Sequence, residues 1–413
     1  MNTLKDYVEW KLTHSDKIAN AEGYPLILEG CKKNKRMKDL KIYGNSIQDG
    51  TPTPENPIEV QSIGEKTENL YNHATATVFL AWRISTANEV CSKGKIESVL
   101  KESGTGGFLN VKIDNASNYR GKSLVCTWKA ITANNINISY TGLCIYDADN
   151  KNILESSSTK FGDDGYNYNV LVIPDTIADT DKLTFRLYLG KGQKGDIIGI
   201  RDLMIFEGIK PRIYEPYGYK IPIIQSSENT EPIIHSIYLD EPLFKIGDYT
   251  DYIDFANKKV VRTIAQMILN GSENIQTFTG EGVAAYPYTY LSLGPYGMVI
   301  NDICLCNQLT LQNNFSYSRE GVNVFRIFNS SNGGSRFAFR LYQNGNPVVE
   351  TNEIKNALSQ KYGQGQPLKI YYALATTKTE DIECQLPKIT EKTTVFTVDS
   401  VIEPSNMYGK YIK

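Results

Sequence analysis

The chain has 413 residues, with 44 lysines and arginines against 46 aspartates and glutamates and a formal charge of −2 at pH 7. That length exceeds one ordinary core, so about two to four domains are expected, and the charge balance supplies no global field toward nucleic acid or an acidic membrane surface. The 27 tyrosines and 32 glycines favour pleated surfaces joined by turns over helices, which makes the expected fold class mainly β and multi-domain. Seven cysteines, odd in number and scattered at 31, 91, 126, 144, 304, 306 and 384, make no disulfide framework. The N-terminus carries no signal-peptide pattern and every apolar run is shorter than the ~20 residues a membrane helix needs. The expectation is synthesis in a reducing cytosol without a membrane anchor, with release by lysis or as part of a particle.

In chain order, NTLKDYVEWKLTHS places Leu4, Tyr7, Val8 and Leu12 at helical spacing behind Asn2 or Thr3 as N-cap. One short amphipathic helix follows, packed either on its own domain or into a larger assembly. YPLILEG and MKDLKIYG read as strands around a basic turn. In DGTPTPENPI, Pro52, Pro54 and Pro57 each fix their own φ and extend the residue before. The stretch reads as a semi-rigid connector that orients two bodies, and residues 1–68 form an attachment region.

Between 69 and 218, strand follows strand: GGFLNVKID, KSLVCTWKAI, NINISYTGLCIYDADN, YNVLVIP, DKLTFRLYLG and GDIIGIRDLMIFEG carry apolar residues at period two. In LTFRLYL, Leu183, Phe185, Leu187 and Leu189 share one face and Thr184, Arg186 and Tyr188 the other, a sheet with one buried and one wet side. Strands in this number and spacing predict a jelly-roll β-sandwich.

The remainder, 219–413, opens on a hairpin in which DYIDF and KVVRTI flank Ala256 and Asn257. Further strands follow, PYTYLSL, MVINDICLC, GVNVFRIF and RFAFRLY, and then NEIKNALSQKY reads as a helix capped by Asn352 with Ile354, Ala357 and Leu358 on one face. This is a β-rich region in which 270–365 is a candidate inserted second sandwich.

The strings LKIYGNSIQDGTPTPENPIEVQSIG and ENLY, the closing LMIFEGIKPRIYEPYGYKIPI, then LDEPLFKIGDYTDYIDFANKKVVRTI, LNGSEN, YYALATTKTEDIECQLP and PSNMY occur in that order from about Leu40 onward. Together they resemble tail and baseplate structural proteins of bacteriophages, prophages and phage-tail-like bacteriocins of Gram-positive bacteria. The resemblance implies a non-enzymatic tail-fibre or receptor-binding component whose central module is similar to carbohydrate-binding sandwiches. It implies location in a virion tail or extracellular particle. It also implies partners among neighbouring tail or baseplate subunits and host cell-wall or surface glycans, with a homotrimer as the copy number.

Chemistry beyond binding is thinly supported. His14, His73 and His235 lie in separate regions, which leaves little for a metal cluster or a serine–histidine triad, and no cofactor is called for. Cys304 and Cys306 alternate on one strand as packing residues. Asp163–Asp164 and Asp251/Asp254 sit in polar loop and hairpin contexts without the aromatic cleft that raises one carboxyl of a glycosidase pair. Binding is better served, because rings stack on sugar C–H faces while amides and carboxylates meet hydroxyls. The candidates are Trp82, Trp128, Tyr166 and Tyr168, with Asp163, Asp164 and Asn167 as hydrogen-bonding partners or calcium oxygens, although a structural calcium is not indicated. Trp128 also fits a sandwich core. Tyr286, Tyr288 and Tyr290 form a second group on one face of an edge strand marked by Pro287. Two further readings stay open: an assembly protein with no glycan ligand, and a glycan-degrading tail enzyme.

Overall fold

The computed structural model of the chain describes residues 26–28, 41–48, 50–86, 90–132, 137–162, 165–227, 230–278, 288–295, 297–312, 323–330, 334–343, 346–348, 350–382 and 393–397. It is mainly β and divides into two compact units, Glu65–Lys220 and a second unit formed by Met1–Gly64 with Ile221–Lys413. The N-terminal helix expected over the first turns lies outside the described residues.

The unit Glu65–Lys220 is a two-layer sandwich. Its main strands are β1 (Thr77–Trp82), β2 (Cys91–Ser92), β3 (Lys95–Val99), β4 (Phe108–Asn115), β5 (Ser123–Thr132) and β6 (Asn137–Tyr146), then β7 (Asn152–Glu155), β8 (Lys160–Phe161), β9 (Asn167–Val172), β10 (Lys182–Gly192) and β11 (Ile197–Glu207). The first sheet has the order β7-β6-β10-β4-β1, and the second β8-β9-β5-β11-β3-β2. Pairing within each is antiparallel. From β4 onward the chain crosses repeatedly from one layer to the other, the winding of the jelly roll read from the turn spacing. All six strings singled out between 69 and 218 are strands.

Period-two alternation decides what goes inside. Leu183, Phe185, Leu187 and Leu189 of β10 join Leu109, Val111 and Ile113 of β4, and they meet Leu124, Cys126 and Trp128 of β5 across one shared core. Trp128 packs edge-to-face on Phe185 at 5.9 Å, stitching layer to layer. The second sheet is buried on both sides at its centre: Val125, Met204 and Phe206 form an outer apolar cluster with Val170 and Tyr214, and Arg212 lies over the Phe206 ring at 5.3 Å. That explains why SLVCTW is an almost continuous apolar run, where a one-sided strand would alternate.

Two of the quoted motifs meet in space. Asn69 of ENLY, 1% exposed, donates to the carbonyls of Leu203 and Glu215 and accepts from the amides of Tyr71 and Ile205. One amide side chain thus ties the entry of the sandwich to LMIFEG at its exit.

The other unit corrects four expectations. Lys41–Tyr43 pairs with β12 (Tyr252–Asp254) in a sheet continued by β13 (Lys259–Leu269), so the segments up to Gly64 and from Ile221 build one body, because the hydrophobic face of an isolated hairpin needs that extra strand. A second sheet is made of β14 (Ile275–Phe278) and β15 (Tyr288–Gly294), with β17 (Thr310–Leu311), β18 (Val324–Ser330) and β19 (Gly334–Arg340). It shares a core with β16 (Val299–Cys306), with α1 (Thr351–Gly363) and with β20 (Leu368–Asp381), as Phe325, Phe337, Cys304, Cys306, Ile354, Leu358 and Ile370 show. Residues 270–365 therefore supply one layer, a covering helix and, in β16, an edge strand of the first sheet, where it pairs with β20, so they are no separate sandwich. The proline-rich stretch is likewise part of this unit: Thr53 and Asn56 close a turn, the Ile58 amide donates to the Asn307 carbonyl at 2.7 Å, and Lys361 of α1 donates to the Pro54 carbonyl. It is a strap on its own body because backbone groups that cannot join a ladder find partners nearby. In α1 the N-cap is Glu350, and Asn352 lies inside the first turn.

At the base of this unit sits a buried ion pair. Asp251 and Arg262 are 0% and 2% exposed. The Asp251 carboxylate accepts from the amides of Phe244, Thr263 and Ile264 and from Arg262, while Arg262 also donates to the carbonyls of Glu241 and Pro242. Asp254 caps the hairpin turn through Ala256 and Asn257. Both aspartates are thus engaged in structure.

Candidate functional site

The outer face of the first sheet of the sandwich carries a shelf that register builds row by row. Trp82, Phe108, Tyr188 and Tyr140 stand side by side on β1, β4, β10 and β6, and Leu80, Asn110, Arg186 and Gly142 form the next row. Trp82 is held in place from below. Arg83, at φ 63, spreads its guanidinium over the loop before β4, donating to the carbonyls of Glu102, Thr105 and Gly106 at 2.6–2.8 Å. Gly106 has φ +75, and a Cβ there would stand 2.9 Å from the indole, so only glycine lets the ring lie flat over this loop. Trp82 remains 50% exposed, with Phe108 beside it at 6.3 Å.

Arg186 occupies the middle of the shelf. Its guanidinium lies 5.8 Å from the Phe108 ring and 5.3 Å from Tyr188, and its Nη1 reaches Glu155 Oε1 on β7 at 3.2 Å. Asn152 also donates to that oxygen. Asn110, fully buried, donates to the Tyr146 hydroxyl at 3.0 Å, and Tyr146 packs edge-on against Phe79 at 5.5 Å. Among the described residues, Asn110 Oδ1 and Arg186 Nε have no hydrogen-bond partner. Burial pushes the Tyr140 and Tyr146 phenols above their ordinary value and the Cys144 thiol up to about 12, so all three stay neutral at physiological pH. The shelf offers flat rings, one exposed carboxylate, a cation and a neutral polar floor. Groups of these kinds can stack on an apolar ring face and hydrogen-bond to hydroxyls.

The structure scatters the residues that sequence reasoning put together. Trp82 is on the shelf. Trp128, a candidate there, is 2% exposed in the core, because it shares the inward, period-two face of β5 with Leu124 and Cys126; this removes it from any binding surface. Tyr166, Asn167 and Tyr168 belong to the second sheet's end of the sandwich: the Tyr166 hydroxyl donates to Asp202 at 3.2 Å with Lys129 over its ring at 4.0 Å, and Asn167 and Tyr168 are half-buried opposite Trp128 and Thr127. Tyr290 is in the other unit, bonded to Gln276 at 2.6 Å and covered by Arg336 at 4.3 Å. Tyr288 pairs opposite Phe278 in its strand, but its side chain lies outside the described residues, as do Asp163, Asp164 and Tyr286. The residues that reasoning missed are Phe108, Asn110, Tyr146, Glu155, Arg186 and Tyr188. The signal for two of them was present, since the alternation of LTFRLYL already put Arg186 and Tyr188 on the wet side.

Among the described residues no group of three histidine, cysteine or acidic side chains is arranged to hold a metal ion, and no helix is long and apolar enough to cross a membrane. No protein-family model matches the chain, and neither curated proteins nor solved structures include a similar one.

Proposed function

We propose that this chain is a non-enzymatic structural component of a phage or phage-like tail or baseplate, of tail-fibre or receptor-binding type, that binds host-surface carbohydrate through the shelf on its sandwich. The order of motifs supports the lineage. The observation that carries the binding role is the row Trp82, Phe108 and Tyr188 beside the Arg186–Glu155 pair, a surface with stacking and hydrogen-bonding groups already side by side. Single sugar contacts of this kind are weak, and several copies on one particle multiply them; a homotrimer and neighbouring tail subunits are the partners in this reading. The test is retention of the full-length protein on purified Gram-positive envelope polysaccharide. Retention by wild type and its loss in a Trp82→Ala/Tyr188→Ala variant with an unchanged melting curve support the role, and no retention on any envelope fraction refutes it.

A second reading has its own observation. Ile209 and Ile213, on the segment after β11, are 70% and 88% exposed, an unusual investment of apolar surface that a neighbouring subunit would cover. In that case the chain is an assembly protein, and Ile209→Ser/Ile213→Ser would abolish particle assembly while Trp82→Ala leaves it intact.

A further inference from the structure

We infer that the shelf grips an internal stretch of an extended polysaccharide chain, laid across the strands from Trp82 toward Tyr140, in preference to a single sugar or a chain end. This rests on the carbohydrate-binding reading above and extends it to the form of the ligand. Trp82, Phe108, Tyr188 and Tyr140 are consecutive partners in register on β1, β4, β10 and β6. Neighbouring strands lie about 4.8 Å apart, so the four positions span roughly 14 Å at right angles to the strands. One pyranose ring covers about one step of such a row, and only several sugars in line meet every aromatic residue in it.

The rings reach water and form a continuous set. Trp82 is 50% exposed, and Phe108, Tyr140 and Tyr188 are half-buried. Trp82 and Phe108 lie 6.3 Å apart. A Cβ on Gly106 would stand 2.9 Å from the indole and 3.9 Å from the Tyr188 hydroxyl, so Trp82 and Tyr188 lean over the same glycine. The Arg186 guanidinium fills the space between Phe108 and Tyr188, 5.8 Å from one ring and 5.3 Å from the other. At the far end the Tyr140 hydroxyl is fixed by the Leu143 carbonyl and by Ser156 Oγ. The Glu155 carboxylate, 47% exposed beside Arg186, flanks the row with an acceptor for hydroxyls.

The row is open where the sheet ends. β1 is an edge strand, and β7, the strand beyond β6, pairs with Cys144, Ile145 and Tyr146, away from Tyr140. Among the described residues, therefore, no strand continues the row past Trp82 or past Tyr140. Recognition of a chain end calls for a pocket that closes around it, whereas an open row of π faces meets the C–H faces of successive sugars and lets the polymer run on in both directions.

The experiment is titration calorimetry of the full-length protein with purified Gram-positive envelope polysaccharide and with its partial-hydrolysis fragments, separated by length and tested with the reducing end intact or reduced to the alditol. Wild type is expected to bind fragments of three sugars at least about tenfold tighter than the monosaccharide. Affinity should level off at about three or four sugars, the span of the row, and longer fragments should bind equally with either end group. Trp82→Ala, at one end of the row, should bring the plateau down by about one sugar and spare the shortest fragments that bind, while Tyr188→Ala, in the middle, weakens every fragment, both with unchanged melting curves. A monosaccharide that binds as tightly as the polymer, or long fragments that lose binding on reduction, overturn the inference and leave the carbohydrate reading standing. Equal effects of the two variants at every length overturn it as well, because the rings would then not serve one chain in line. No binding of the polysaccharide or any fragment removes the carbohydrate reading, and the inference with it.

Discussion

Asn69 Oδ1 accepts the Ile205 amide at 3.1 Å although 136 positions separate the two residues. The same side chain holds Leu203, Glu215 and Tyr71, so a single buried amide closes the sandwich. Asn69→Ala would strand two carbonyls and two amides without their partner. With net losses of ~1 kcal/mol per bond and more for groups left unsatisfied, a destabilisation of about 3 kcal/mol is expected. Urea unfolding checks it; a shift below about 1 kcal/mol would show that water replaces the amide freely.

Trp82 and Trp128 should separate binding from folding. Trp82→Ala removes a half-exposed ring and is expected to leave the melting curve unchanged while weakening envelope binding by about tenfold, or ~1.4 kcal/mol. Trp128→Ala opens a cavity between the layers beside Phe185 and should cost about 3–5 kcal/mol. Calorimetry and thermal melts on the two variants read these outcomes side by side, and equal effects on stability would contradict the placement of the two rings.

Gly106→Ala tests how the shelf is held. A Cβ at φ +75 and 2.9 Å from the indole must push the ring away, and an L-residue in this left-handed region costs about 1–2 kcal/mol. The Trp82 contribution to fluorescence, isolated by comparison with Trp82→Phe, is expected to shift to longer wavelength as the indole swings into water. An unchanged spectrum would mean that the loop yields in place of the ring.

The Asp251–Arg262 pair makes a pH prediction. Burial pushes the Asp251 carboxyl above its ordinary value, opposed by Arg262 and by the three backbone amides. A raised folded-state pKa means that the group's contribution to stability is full below the ordinary carboxylate range and declines as pH rises through the raised value. The stability difference between wild type and Asp251→Asn should therefore shift against wild type as pH rises from about 3 to neutrality, and a flat difference would contradict it. Removal of the carboxyl altogether, Asp251→Ala, leaves Arg262 with only Glu380, at 3.3 Å, as its ion-pair partner and strands the amides of Phe244, Thr263 and Ile264, and should cost about 3 kcal/mol.

Thiol chemistry gives a further check. Cys126, Cys144, Cys304 and Cys306 are buried, and burial raises the thiol pKa of each, to about 12 for Cys144 and Cys306. The thiolate is the reactive form, so alkylation at pH 8 followed by peptide mapping should leave these four unmodified in the native protein and label them all in urea. Native labelling of Cys304 or Cys306 would place β16 outside the core.

Much of the fold was legible because alternation is a local property. LTFRLYL announces a strand with a core side and a wet side, and β10 buries Leu183, Phe185, Leu187 and Leu189 as that pattern requires. The helix at 351–363 was legible for the same reason. The site was legible only in part. Trp82 stood out as a tryptophan, but Trp128 stood out equally, and side-chain type carries no information about which layer faces water.

What the sequence by itself determined is the set of strands and the inward face of most of them, since a period of two is written residue by residue. Which strands lie side by side was decided by the tertiary structure. Only antiparallel register puts Asn110 opposite Arg186 and Phe108 beside Tyr188, and only the return of the chain lets Lys41–Tyr43 complete a sheet with Tyr252–Asp254. The physical reason is that strand pairing uses backbone hydrogen bonds that every residue can make. The choice of partner therefore falls to the packing of the whole core, which no short stretch of the chain contains.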